Sequence, residues 1–99
     1  MTNLLHKSIT DAILKVYYEV YNELGYGFLE KVYQNAMYFE LKSLGYKVEA
    51  QKQIKVYFKK QLVGEYYSDL LVEDKVIVEL KATELLMNVH VAQIMSNTS

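Results

Sequence analysis

The chain has 99 residues, enough for one small domain spanning 1–99 and too few for two. Its composition, 52% hydrophobic and 23% charged, excludes a disordered polymer, and the absence of cysteine excludes disulfides and thiolate metal sites. The formal net charge of -1 gives no overall basic field, and all eleven basic residues are lysine, which excludes bidentate guanidinium contacts to phosphate or guanine.

The N-terminal stretch MTNLLHKSITDAI has neither a continuous apolar core nor a small-residue cleavage site. No apolar run approaches the roughly 20 residues of a membrane-spanning helix. A cytoplasmic protein with no membrane partner is therefore expected.

From Ser8 to Leu24 the apolar residues Ile9, Ala12, Ile13, Val16, Tyr17, Val20, Tyr21 and Leu24 recur at helical spacing. Ser8 or Thr10 is expected to cap this helix, Asp11 to suit its first turn, and Gly25-Tyr26-Gly27 to end it. A second helix is expected from about Phe28 to Leu44, stopped by Gly45, with Leu29, Val32, Tyr33, Ala36, Met37, Leu41 and Leu44 as its buried stripe. Glu30 falls in its first turn, where the helix dipole favours a carboxylate whatever else that residue does.

The period then changes. Val48 and Ala50 suggest a short strand, and Ile54, Val56 and Phe58 alternate with polar neighbours as a half-buried strand does. Lys59-Lys60-Gln61 reads as a turn. Lys55, Tyr57 and Lys59 would share one face, either able to touch a phosphate backbone or simply the wet side of an antiparallel sheet; the wet side is the commoner meaning.

Tyr66 to Ala82, YYSDLLVEDKVIVELKA, reads as a hairpin turning at Glu73-Asp74-Lys75. The return strand is apolar until Glu79-Leu80-Lys81, where Glu79 and Lys81 take one face and Leu80 the other. A three-residue loop would pair Val72 with Val76 and set Asp69 opposite Glu79. A two-residue turn would send the two carboxylates to opposite faces. Like charges directly opposite in a sheet need a shared proton, a lysine such as Lys81, or a divalent cation. After the hairpin come Thr83-Glu84-Leu85-Leu86 and a last helix from about Asn88, carrying His90 and Gln93 on one face. The order is α, α, three or four strands, α: an α+β domain around an antiparallel meander.

Gly27-Phe28-Leu29-Glu30-Lys31-Val32-Tyr33 fits the GxxExxY signature, and VGEYYSDLLVEDKVIVELKA and HVAQ follow in the same order. From about Leu5 to Gln93 the chain resembles the GxxExxY proteins, a branch of the PD-(D/E)xK nuclease-like superfamily. The resemblance implies a restriction-endonuclease-like αβββαβ core with an extra N-terminal helix. It implies that Glu30, Asp69, Glu79 and Lys81 converge. Asp69, Glu79 and the Leu80 carbonyl would hold Mg²⁺ or Mn²⁺, with Glu30 completing the site directly or through water. Lys81 would orient the attacking water, and Gln93, with His90, would meet substrate or water from the last helix. Relatives often carry an aromatic four residues after the helix glutamine, where this chain has Asn97. They also continue into a closing strand. Its absence would leave the VIVELKA strand with an open edge, so a homodimer or other self-association through that edge is expected. The function implied is a metal-dependent nuclease acting on DNA or RNA; the alternatives are a non-catalytic interaction module on the same scaffold and an inactive remnant.

Overall fold

The computed structural model describes residues 6–81 and 84–88. Two helices, α1 (Lys7–Leu24) and α2 (Glu30–Ser43), precede four strands, β1 (Val48–Phe58), β2 (Gln61–Val72), β3 (Val76–Lys81) and β4 (Glu84–Asn88). The strands form one antiparallel sheet in sequence order, β1-β2-β3-β4. No helix among the described residues is long and apolar enough to cross a membrane.

Helical periodicity builds the core. Ile13, Val16, Val20 and Tyr21 of α1 and Tyr33, Met37 and Leu41 of α2 pack against Val48, Leu70, Val72, Val76, Val78 and Leu80 of the sheet. Alternation sends Leu71 and Ile77 to the other face, where they cluster with Ile54 and Val56. Val48 and Ile54 are an even number of residues apart, yet they belong to opposite clusters. The residue between them that breaks the alternation is Gln51, whose φ of 54° is left-handed. That kink merges the two strand fragments expected from sequence into one bent strand.

The first helix starts differently from expectation. Neither Ser8 nor Thr10 caps it: His6 takes the cap position without a side-chain bond, and the Thr10 hydroxyl donates back to the Lys7 carbonyl. Asp11 is instead paired with Lys7 one turn earlier, at 2.7 Å.

The loop between β2 and β3 holds three residues, with Val72 opposite Val76. Glu73 and Asp74, not Lys75, take the left-handed conformation. Lys47 holds them there. Its amide donates to the Glu73 carboxylate at 2.7 Å, its carbonyl accepts from the Glu73 amide at 2.7 Å, and its ammonium reaches Asp74 at 2.6 Å. The bond to Lys47 lowers the Asp74 carboxyl below its ordinary range, and the bond to Asp74 raises the Lys47 ammonium above its own. Stability from this pair is present above the ordinary aspartate range and is lost as pH falls through the lowered value. At the basic end it is lost only as pH rises through the raised lysine value. Lys47→Ala is therefore expected to flatten the acid-side fall in urea midpoint as pH drops below the ordinary aspartate range. An unchanged acid limb would show that the pair contributes nothing there.

At the β1–β2 turn, Phe58 pairs with Gln61, so the loop is Lys59-Lys60 alone and Gln61 belongs to the strand. Both lysines are left-handed, at φ 50° and 68°. Side chains with a Cβ resist that conformation, which asparagine and glycine accept in two-residue hairpin loops. Lys59→Asn combined with Lys60→Gly is expected to raise stability by about 1 kcal/mol, read as a higher denaturant midpoint at unchanged slope.

Glu84 to Asn88 depart further from expectation. Residues 84–88 form β4, paired with β3 from Lys81↔Glu84 to Ile77↔Asn88. The signal is a period of two: Leu85 and Met87 pack on the helix-side cluster while Leu86 is exposed. The VIVELKA strand is thus flanked on both sides, and the open edge on which self-association was expected is occupied by β4. The helix expected to carry His90 and Gln93 lies outside the described residues.

Candidate active site

The sheet changes character at one level. The β2–β3 ladder runs through Val72↔Val76, Leu71↔Ile77 and Leu70↔Val78, and Asp69 and Glu79 hold the next facing positions. No further pair forms there. Instead the Asp69 carboxylate accepts a 2.6 Å hydrogen bond from the Leu80 amide, taking the place of a main-chain carbonyl of β2. In an antiparallel ladder a residue's N–H and C=O project toward the same neighbour, so the Leu80 carbonyl faces the same opening.

Glu79 and Lys81 share the face away from the helices, as their spacing requires, while Leu80 is buried on the helix side. The Lys81 ammonium lies 3.9 Å from the Glu79 carboxylate. Glu79 retains 27% side-chain exposure and Lys81 57%, so the contact is solvated and contributes little stability. Burial first, and then the Glu79 charge, raise the nearby Tyr66 phenol above its ordinary value.

The opposite side of Asp69 is also irregular. Ladder pairs join Ala50 to Leu70 and Lys52 to Ser68, but the left-handed Gln51 between them makes no pair with Asp69. The Gln51 side chain donates to Gln34 of α2 at 2.9 Å, and Gln34 is buried. Gln34 stands one turn after Glu30 on the same helix face. A link from α2 to β1, the strand beside Asp69, therefore runs through Gln34 and Gln51, which sequence spacing did not single out. A polar residue inside a helix's apolar stripe was the available signal.

The GxxExxY residues have a local structural role. Gly27 supplies a φ of 111°, open to glycine and strained for other residues. The Tyr33 hydroxyl donates to the Gly25 carbonyl at 2.6 Å and accepts from the Phe28 amide at 3.3 Å, fastening the loop to the start of α2. Its ring stacks on Tyr21 of α1, centroids 4.1 Å apart and planes 1° from parallel. Burial is the main cause that raises the Tyr21 phenol; Tyr17 and Tyr33 add to it, and Glu30 does so from the exposed first turn of α2.

The structure thus brings Asp69 to Leu80 and Lys81 to Glu79. Among the described residues no three Asp, Glu or His side chains are grouped closely enough to hold an ion, so Glu30, Asp69 and Glu79 do not form one cluster. His90 and Gln93 lie outside the described residues.

Two helices laid on a four-stranded antiparallel sheet, with Asp and Glu-Leu-Lys on adjacent central strands, define an α+β fold of the nuclease-like kind. A family model for the PD-(D/E)XK nuclease superfamily matches residues 7–98, and the chain belongs to that superfamily. No curated protein and no solved structure matches it.

Proposed function

We propose that this protein is a metal-dependent nuclease of the GxxExxY branch, hydrolysing phosphodiester bonds in the cytoplasm. The observation that carries the reading is the opening between β2 and β3, where the Asp69 carboxylate meets Leu80 at 2.6 Å between the charged neighbours Glu79 and Lys81. The donors there are all oxygen: two carboxylates and one main-chain carbonyl. That chemistry suits Mg²⁺ or Mn²⁺ better than softer ions. Bound there, a divalent ion would supply positive charge to polarise the scissile phosphate.

Asp69, Glu79 and the Leu80 carbonyl would hold the ion; Glu30 starts α2 on the other side of the sheet from Glu79 and would not be among its ligands. Lys81 orients the attacking water and offsets the negative charge that develops on the phosphate oxygens. Leu80, anchored in the core, keeps Glu79 and Lys81 at a fixed separation. Gln93, with His90, would contact substrate or water from the last helix.

Titration calorimetry tests the donor set. Wild-type protein is expected to bind one Mg²⁺ or Mn²⁺ per chain, and Asp69→Asn and Glu79→Gln each to lose that heat. Equal heats in all three proteins would remove Asp69 and Glu79 from the site. A second reading, a non-catalytic nucleic-acid-binding module, draws support from the failure of Glu30, Asp69 and Glu79 to gather into one cluster. Binding without cleavage would favour it.

A further inference from the structure

The charge of this chain is unevenly placed. Residues 52–67, the outer part of the β1–β2 hairpin, carry Lys52, Lys55, Lys59 and Lys60 against Glu65 alone. That makes +3 on the hairpin and leaves -4 elsewhere in a chain of net charge -1. Overall neutrality therefore hides a basic arm on an acidic body.

The arm is a two-stranded ribbon paired from Lys52↔Ser68 to Phe58↔Gln61. Its base packs on the sheet, where Ile54 and Val56 cluster with Leu71 and Ile77, and beyond Val56 it extends about 10 Å at roughly 3.4 Å per residue. Lysines occupy its tip as well as its length. Glu65 faces Lys55 in the register, yet its carboxylate accepts from Gln53 at 3.2 Å. Among the described residues no ion pair holds Lys55, Lys59 or Lys60. Lys59 lies 5.4 Å above the Phe58 ring. Val56 pairs with Gly64 and Tyr57 with Leu62, so Val63 is an extra residue that bends and twists the ribbon.

We infer that this β1–β2 ribbon is a nucleic-acid-binding arm that enters the major groove of B-form duplex DNA. The ligand class rests on the nuclease reading; the choice among nucleic acids rests on the ribbon's shape. Strands about 4.8 Å apart, with their side chains, fit a groove about 12 Å wide. The major groove of A-form RNA is too narrow and deep for such an element. Lysine ammonium groups along the ribbon meet phosphates on both groove walls, and Phe58, 60% exposed, rides at the tip. With lysines as point charges and no guanidinium fork, the arm holds DNA with little base discrimination.

Lys55→Gln, Lys59→Asn and Lys60→Gly are combined to test this, because Asn-Gly suits the left-handed turn and preserves the hairpin. Thermal melting should show the variant at least as stable as wild type. Fluorescence anisotropy in EDTA then follows a labelled 20-base-pair DNA duplex and an RNA duplex of the same sequence across a salt series. Wild-type protein is expected to bind the DNA at least ~10-fold tighter than the RNA. The variant should bind DNA at least ~10-fold more weakly, with a log–log salt slope shallower by about 3. No DNA binding by wild type, an unchanged slope in the stable variant, or equal binding of RNA would each overturn the proposal. Because metal is excluded, failure here leaves the cleavage reading to its own test. Loss of cleavage in site variants that still bind DNA would bear on the site and not on the arm.

Discussion

Replacing Lys81 by methionine is expected to slow phosphodiester cleavage by about 10²–10³-fold, the scale of losing one preorganised donor to a developing negative charge. Divalent-ion binding should persist, because methionine removes the ammonium without touching an oxygen donor. Stability should change by less than about 0.5 kcal/mol, since Lys81 is 57% exposed and its pair with Glu79 is solvated. Single-turnover cleavage of a labelled duplex, beside calorimetry on the same preparation, separates the outcomes. If cleavage is unchanged in both Lys81→Met and Glu79→Ala, the activity belongs to a contaminant and the catalytic reading fails. If ion binding is lost with Lys81→Met, the lysine acts on the site's geometry and not on the reacting phosphate.

The largest stability effect is expected at Met37, which is fully buried between α1 and the sheet. Met37→Ala removes contacts from both helices' shared core and leaves a cavity, costing about 2–5 kcal/mol. A domain of this size typically holds only about 5–15 kcal/mol, so the loss is a large part of the whole. The melting temperature should fall by at least about 10 °C. Phe39, two residues along α2 and 72% exposed, supplies the contrast: Phe39→Ala should stay within about 0.5 kcal/mol. Equal losses at both positions would mean that α2 presents a different face to the sheet.

The helices were legible in the sequence because a period near 3.6 is a strong signal over more than three turns, and both begin within two residues of where the pattern placed them. The meander and the Val72↔Val76 register followed from the apolar runs and the three-residue loop alternative. What settled that alternative was Lys47, a residue 26 positions before Glu73 whose main chain and side chain hold the loop. Local turn rules carry no information about such a partner. Residues 84–88 escaped notice because five residues following a charged strand end give too short an alternation to read. The pair Gln34–Gln51 was half legible: Gln34 stands out inside an apolar stripe, but a left-handed glutamine within a strand is set by its neighbours, not by its own preference. The residue types of the candidate site were readable; the direction in which Asp69 turns was not.

The proposed chemistry turns on that direction. In this structure Asp69 satisfies the Leu80 amide. The proposed chemistry asks it and Glu79 to share an ion at the same opening. Diffraction from crystals grown with Mn²⁺, recorded to locate its anomalous signal, tests this most directly. One peak is expected between β2 and β3, about 2–2.6 Å from oxygens of Asp69, Glu79 and the Leu80 carbonyl. A Mn²⁺ ion bound elsewhere, with Asp69 still engaged only by the Leu80 amide, would contradict it.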